Sequence, residues 1–295
     1  MASKKKLLQA AAGSVGGAGL NVEEVFNSNV YEGTGSGRTF TNGLDLSGEG
    51  GLVWIKNYSN SDPHMLVDTV RGASNGSSAR TLQTNSDSSA FVYNDITAFN
   101  SDGFTTGGTD QVSRSSNRFA SWAFRKAPKF FDIQTWSGTS STRTISHNLG
   151  CTPGMIIIKS YDSSSTNWMV WHRGLSNTST KFLYLNASDA EQSYGTTSIA
   201  WGNTAPTSTE FTVGSATYNN ETGKNYIAYI FAHNDGDGGF GENGDQDIIK
   251  CGSYVGSGAA GKFIDLGFEP QWVYTKKITN SSVHIIQDYL RGCGS

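Results

Sequence analysis

At 295 residues the chain is long enough for one large domain or two ordinary ones, and a net charge of −3 with only 16% charged residues leaves no broad basic surface to track nucleic-acid phosphates. The 36 glycines lie among Ser-, Thr- and Asn-rich clusters, but 12% aromatic residues exclude a disordered chain; short apolar runs between turn clusters read as an all-β protein. No apolar run approaches the ~18 residues of a transmembrane helix, so no membrane span is expected.

The first element is "MASKKKLLQAAAGSVGGAG". Lys4, Lys5 and Lys6 followed by Leu7 and Leu8 imitate a signal peptide, but Gln9 breaks the apolar part and glycines follow at once. Residues 1–25 are therefore expected to be a short helix and a Gly-rich linker, ordered against a partner as an anchor.

Beyond it the chain repeats. "LSGEGGLVWIK" (46–56), "LGCTPGMIIIK" (149–159) and "LGFEPQWVYTK" (266–276) each set leucine and lysine ten positions apart. A second strand follows each: "MLVDTVRG", "WMVWHRG" and "IIQDYLRG" bring Arg71, Arg173 and Arg291 fifteen, fourteen and fifteen residues after the lysine. Phe104 precedes Phe124 by twenty residues, as Phe211 precedes Phe231. The repeats are assigned to 26–129, 130–247 and 248–295, the third covering only the opening part of the unit. At ~100–120 residues a complete copy has the size of a domain with its own core, so a string of independent domains is expected. Each copy holds about eight strand-like runs, which argues for a two-sheet sandwich with jelly-roll connectivity. The strands around "SWAF" and "IAYIF" are apolar on both faces and suit central positions. Because the third copy stops before its counterparts of Phe124 and Phe231, the natural polypeptide is expected to continue past Ser295.

Little in the sequence carries chemistry. His64, His147, His172, His233 and His284 are scattered, outside any nucleophile-elbow context, and read as turn or surface residues. Asp68, Asp132 and Asp288 are the clearest acids inside strands, and none forms the carboxylate pair of a glycosidase. Asp68 and Asp288 stand three before Arg71 and Arg291 and read as a structural ion pair; counting back from Arg173 gives Val170 in the second copy. The acidic stretch 233–247 lacks EF-hand spacing and reads as a flexible, solvated linker. Cys151, Cys251 and Cys293 show neither zinc spacing nor a disulfide framework and read as small buried hydrophobes. Trp168, Trp171 and Trp201 adjoin polar clusters and are the candidates for stacking on a sugar ring; no catalytic residue, metal ligand or cofactor is assigned.

The segments "GLVWIKNYSNSD", "RTISHNLGCTPGMIIIK", "NWMVWHRGL", "AYIFAHNDGDGGFGENGDQDIIKCGSY" and "IDLGFEPQWV" resemble a repeated domain in virion proteins of marine bacteriophages that infect cyanobacteria and pelagic heterotrophs. The resemblance covers nearly the whole chain and implies concanavalin A-like sandwiches in a tail fibre or other appendage. It also implies location in the virion, other virion proteins and a host surface glycan as partners, and a homo-oligomer, most simply a trimer. It supplies no catalytic residues, so no enzyme is expected. The alternatives are a capsid decoration protein and a carbohydrate-binding or carbohydrate-degrading module.

Overall fold

The computed structural model describes residues 19–74, 80–194 and 200–292; the anchor residues Lys4 to Leu8 lie outside them, as does Cys293. A single 3-10 turn at Val22–Glu24 leads into the first repeat. That repeat comprises β1 (Phe26–Glu32), β2 (Arg38–Thr41), β3 (Gly51–Asn57), β4 (Met65–Asp68), β5 (Leu82–Gln83), β6 (Ile96–Asn100), β7 (Gly103–Thr106), the one-turn helix α1 (Asp110–Ser113) and β8 (Arg118–Arg125). Its strands form a five-stranded sheet in the order β1-β8-β3-β4-β5 and a three-stranded sheet β2-β7-β6.

The second repeat follows the same plan: β9 (Phe131–Ser137), β10 (Arg143–Ser146), β11 (Met155–Ser160), β12 (Met169–His172), β13 (Lys181–Tyr184), β14 (Gln192–Ser193), β15 (Glu210–Val213), α2 (Thr217–Asn220) and β16 (Asn225–Phe231). Its large sheet runs β9-β16-β11-β12-β13-β14 beside the small pair β10-β15. In the third repeat β17 (Trp272–Lys276) and β18 (His284–Asp288) pair antiparallel. The repeat read from spacing is thus a repeat of topology: β3 lies between β4 and β8, and β11 between β12 and β16.

Period-2 alternation divides each central strand between two cores. In β3, Val53 and Ile55 face the small sheet and pack with Val67, Phe104 and Phe119. In β11, Ile156 and Ile158 do the same with Trp171 and Phe211. The opposite faces, Leu52 and Trp54 in one repeat and Ile157 in the other, enter a third core with Trp122, Phe124, Tyr229 and Phe231, against which Trp272, Tyr274 and Ile286 of the third repeat also pack. The expected string of independent domains is therefore corrected: the repeats are joined through one apolar core that none of them could bury alone. At ~1.5–3 kcal/mol for each large apolar side chain buried, this shared layer outweighs what a linker could hold together.

Register also corrects one sequence alignment. Trp54 lies opposite Leu66, Ile157 opposite Val170, and Tyr274 opposite Ile286. Two residues further on, Asp68, His172 and Asp288 are therefore equivalent, so His172 rather than Val170 stands where the other repeats carry aspartate. Counting back from Arg173 fails because the loop after Lys159 is one residue longer, and the turn after β12 two residues shorter, than in the other repeats.

Candidate functional site

Much of the buried charge among the described residues, that of Asp68, Arg71, Lys159 and Asp288, lies at the junctions between repeats. Asp68 closes β4 with its side chain toward the shared core and is wholly buried, as is nearly all of Arg71. Their ion pair is 2.5 Å long; the Arg71 Nε–H donates to Asp68 Oδ2 at 2.7 Å and its main-chain N–H to Oδ1 at 2.9 Å. The second repeat completes the group, because the Tyr229 hydroxyl donates to Asp68 Oδ2 at 2.9 Å. Burial, reinforced by Asp68, pushes the Tyr229 pKa well above its ordinary value, so the hydroxyl remains a donor. Burial works against the Arg71 charge, but Asp68 and Tyr229 outweigh it and raise its pKa.

The third repeat grips the first in the same way. Arg291 Nε–H donates to Asp288 Oδ2 at 2.5 Å, and Trp122 Nε1–H donates to the same oxygen at 3.2 Å. The Arg291 guanidinium lies 5.3 Å over the Trp122 ring. Trp122 and Tyr229 hold equivalent places, each two residues before the phenylalanine that ends its strand core. The Asp-x-x-Arg pair is structural, as the sequence suggested, but it also ties the first repeat to β16 of the second and the third repeat to β8 of the first.

A second set of contacts runs through the repeated lysine. Lys159 is fully buried, and its Nζ donates to Thr166 O of its own repeat at 2.7 Å and to Asp87 O of the first repeat at 3.1 Å. Burial pulls its pKa down to about 8. Lys276 donates likewise to Ser282 O of its own repeat and, at 2.9 Å, to Ser188 O of the second. A ring nitrogen accompanies each lysine: Trp168 Nε1–H donates to Gln83 O at 3.1 Å and Ser86 O at 3.0 Å, and His284 Nε2 bonds Tyr184 O at 2.8 Å and Ala187 O at 3.0 Å. Loops 83–90 and 184–191 are thus the connectors, and sequence reasoning missed them. A faint signal was present: Asn85 and Asn186 stand in step and cap the starts of the preceding strands β4 and β12, accepting from His64 N and Trp168 N.

The sugar-stacking candidates do not present their faces. Trp168, Trp171 and Trp201 are each buried, and their indole N–H groups are taken up by main-chain carbonyls, those of Trp171 and Trp201 by Thr178 O and Lys181 O. Neighbouring polar loops fold over these rings, which is why a polar sequence context misplaced them at the surface. The acidic stretch 233–247 is also not a free linker. Asp247 accepts from Gly236 N and Gly238 N, Asp235 pairs with Lys250, and Phe240 is buried against Phe130 in the shared core. Among the described residues no group of three His, Cys, Asp or Glu side chains is placed to hold a metal ion. Asp132 is buried beside Lys126 at 3.3 Å. The histidines are not surface groups throughout: His147 is buried, and burial, with Lys56 and Arg291 nearby, pulls His64 down to about 3. Cys151 and Cys251 are free and partly buried, and burial raises both thiols, Cys251 to about 12.

His64 lies in a groove of about 560 Å³ where the three repeats meet, walled by Trp54, Lys56 and Tyr58 of the first repeat, Ala187 of the second and Arg291 of the third. Trp54 Nε1 and His64 Nδ1 are buried there and take no hydrogen-bond partner among the described residues.

The model of a domain family described as a domain of unknown function (DUF7483) matches residues 22–295. No curated protein and no solved structure matches the chain.

Proposed function

We propose that the chain, which belongs to the DUF7483 family, is a non-enzymatic structural component of a bacteriophage virion, part of a tail fibre or related appendage. In this reading residues 1–25 anchor it to the particle and the repeats, as concanavalin A-like jelly rolls, extend toward the host surface and its glycans. A homotrimer is the assembly this reading expects. The observation that carries the proposal is the shared core, in which Trp54, Trp122, Tyr229 and Trp272 from three repeats pack together and make a stiff building block out of tandem modules. The resemblance of the repeated segments to marine phage virion proteins supports it further. So does the use of the strand acids: Asp68, Asp132 and Asp288 are all engaged by basic partners in the fold.

Immunogold labelling of purified phage particles with an antibody against the recombinant chain tests the proposal. Gold along fibres or tail appendages is the expected result. Labelling spread over the capsid shell would replace it with a decoration protein, and absence from particles would overturn it. Release of reducing ends from host surface glycan, abolished by one Asp or Glu substitution, would overturn the non-enzymatic part.

A further inference from the structure

The two junctions are built from the same four contacts. A lysine Nζ donates to a loop carbonyl of the preceding repeat, Asp87 O or Ser188 O. A ring nitrogen bonds two more carbonyls of that loop, as Trp168 and His284 do. The carbonyl two residues after the lysine accepts a loop N–H: Tyr161 O from Ala90 N at 2.8 Å, and Ile278 O from Glu191 N at 2.9 Å. Finally, the residue whose carbonyl the lysine caps within its own repeat donates its N–H to the loop: Thr166 N to Asp87 O at 3.1 Å, and Ser282 N to Ser188 O at 2.7 Å.

The first repeat carries all four groups in step. Lys56 Nζ caps Asp62 O at 2.6 Å, as Lys159 caps Thr166; it also donates to Asn60 O of its own loop at 3.0 Å, which leaves one of its three N–H groups for a docked carbonyl. His64 stands where Trp168 and His284 stand, because Lys276 lies opposite His284 and Ile55 opposite Met65. Tyr58 O and Asp62 N, the other two groups, make no main-chain hydrogen bond to a loop among the described residues. Lys56, Tyr58 and His64 all line the groove at the meeting point of the repeats.

We propose that the Lys56–His64 edge of the first repeat is a docking site for a polar peptide loop of the kind formed by residues 83–90 and 184–191. The loop would present main-chain carbonyls to Lys56 Nζ and the His64 ring, give an N–H to Tyr58 O and accept one from Asp62 N. Among the described residues, the two loops of this kind are committed to the second and third repeats, so the occupant is a loop of the same repeat type on a partner polypeptide. Its chemistry is set by the two examples: "QTNSDSSA" and "YLNASDAE" are small, polar and acidic, and share Asn85 and Asn186. The groove they would enter carries the cationic Lys56 and Arg291. Low His64 basicity keeps that ring neutral, with one N–H to donate. This inference stands apart from the virion reading.

The test is an NMR titration of the full-length, isotope-labelled chain with a synthetic peptide of residues 81–91. Saturable shifts of the His64 ring and Lys56 Nζ resonances are expected, with a Kd of order 1 mM for so few contacts, and no such shifts from a scrambled peptide. Lys56→Met should weaken binding about tenfold, the loss of one charge-assisted hydrogen bond. Should that variant fail to fold, the peptide methylated at the nitrogen of its penultimate alanine serves on the unmodified chain, because it removes the donor to Tyr58 O and should also bind more weakly. No shift at His64 up to about 10 mM peptide would overturn the proposal. So would equal binding of the scrambled peptide, shifts confined to Trp168 or His284, or a saturable His64 response to an oligosaccharide but not to the peptide.

Discussion

Replacing Tyr229 by phenylalanine removes a single oxygen from the junction between the first and second repeats. The hydroxyl donates to Asp68 Oδ2 at 2.9 Å inside a fully buried group. A hydrogen bond to a buried charge contributes ~1.5–3 kcal/mol, so Tyr229→Phe should lower stability by about 2 kcal/mol. Asp68→Ala should cost more, ~3–5 kcal/mol, because Arg71 is left charged and unpaired in the core. In the double variant the hydroxyl has no carboxylate to lose. The two effects should therefore fall short of additivity by about 1–2 kcal/mol. Urea unfolding followed by tryptophan fluorescence and by circular dichroism supplies all four midpoints, and matched slopes confirm that the same surface is exposed each time. Additivity within ~0.5 kcal/mol would show that the two side chains do not interact and would refute the junction as described.

Two further predictions concern pH. Burial holds His64 at about 3 and His172 at about 4, against 6.5 in the unfolded chain. Their contribution is therefore fully present above pH 6.5 and is lost as the pH falls through 6.5 toward 4 and below. His64→Gln should flatten the acid limb of a thermal-stability profile, and an unchanged limb would contradict the assigned burial. Lys159, at about 8 in the fold against 10.5 unfolded, releases its proton first in the folded state. Between pH 8 and 10.5 the unfolded chain holds more protons, so stability should rise across that window relative to Lys159→Met. Parallel profiles for the two proteins would count against it.

The all-β class and the topological repeat were legible because the signals are local. Lys56, Lys159 and Lys276 mark equivalent strands, and the unbroken apolar runs around "SWAF" and "IAYIF" point to burial on both faces. What covers the second face was not legible. Two-sided burial of Trp122 and Tyr229 looks the same whether the second cover is another layer of one domain or a neighbouring repeat. The aromatic candidates failed for a related reason. Trp168 follows a run of polar residues, yet its indole is covered by loop 83–86, some eighty residues earlier in the chain. Phe240 was hidden inside an acidic, Gly-rich stretch whose carboxylates turn the main chain back on itself. The His172 equivalence needed strand register, because small differences in loop and turn length moved the count from the arginine.

That the repeats form one body is tested most directly by differential scanning calorimetry of the whole chain. Interlocking through Trp54, Trp122, Tyr229, Phe231 and Trp272 predicts one transition with calorimetric and van't Hoff enthalpies in a ratio of about one. Two or more resolved transitions, or a ratio of about two, would mean that the first and second repeats melt as separate domains and would contradict the shared core.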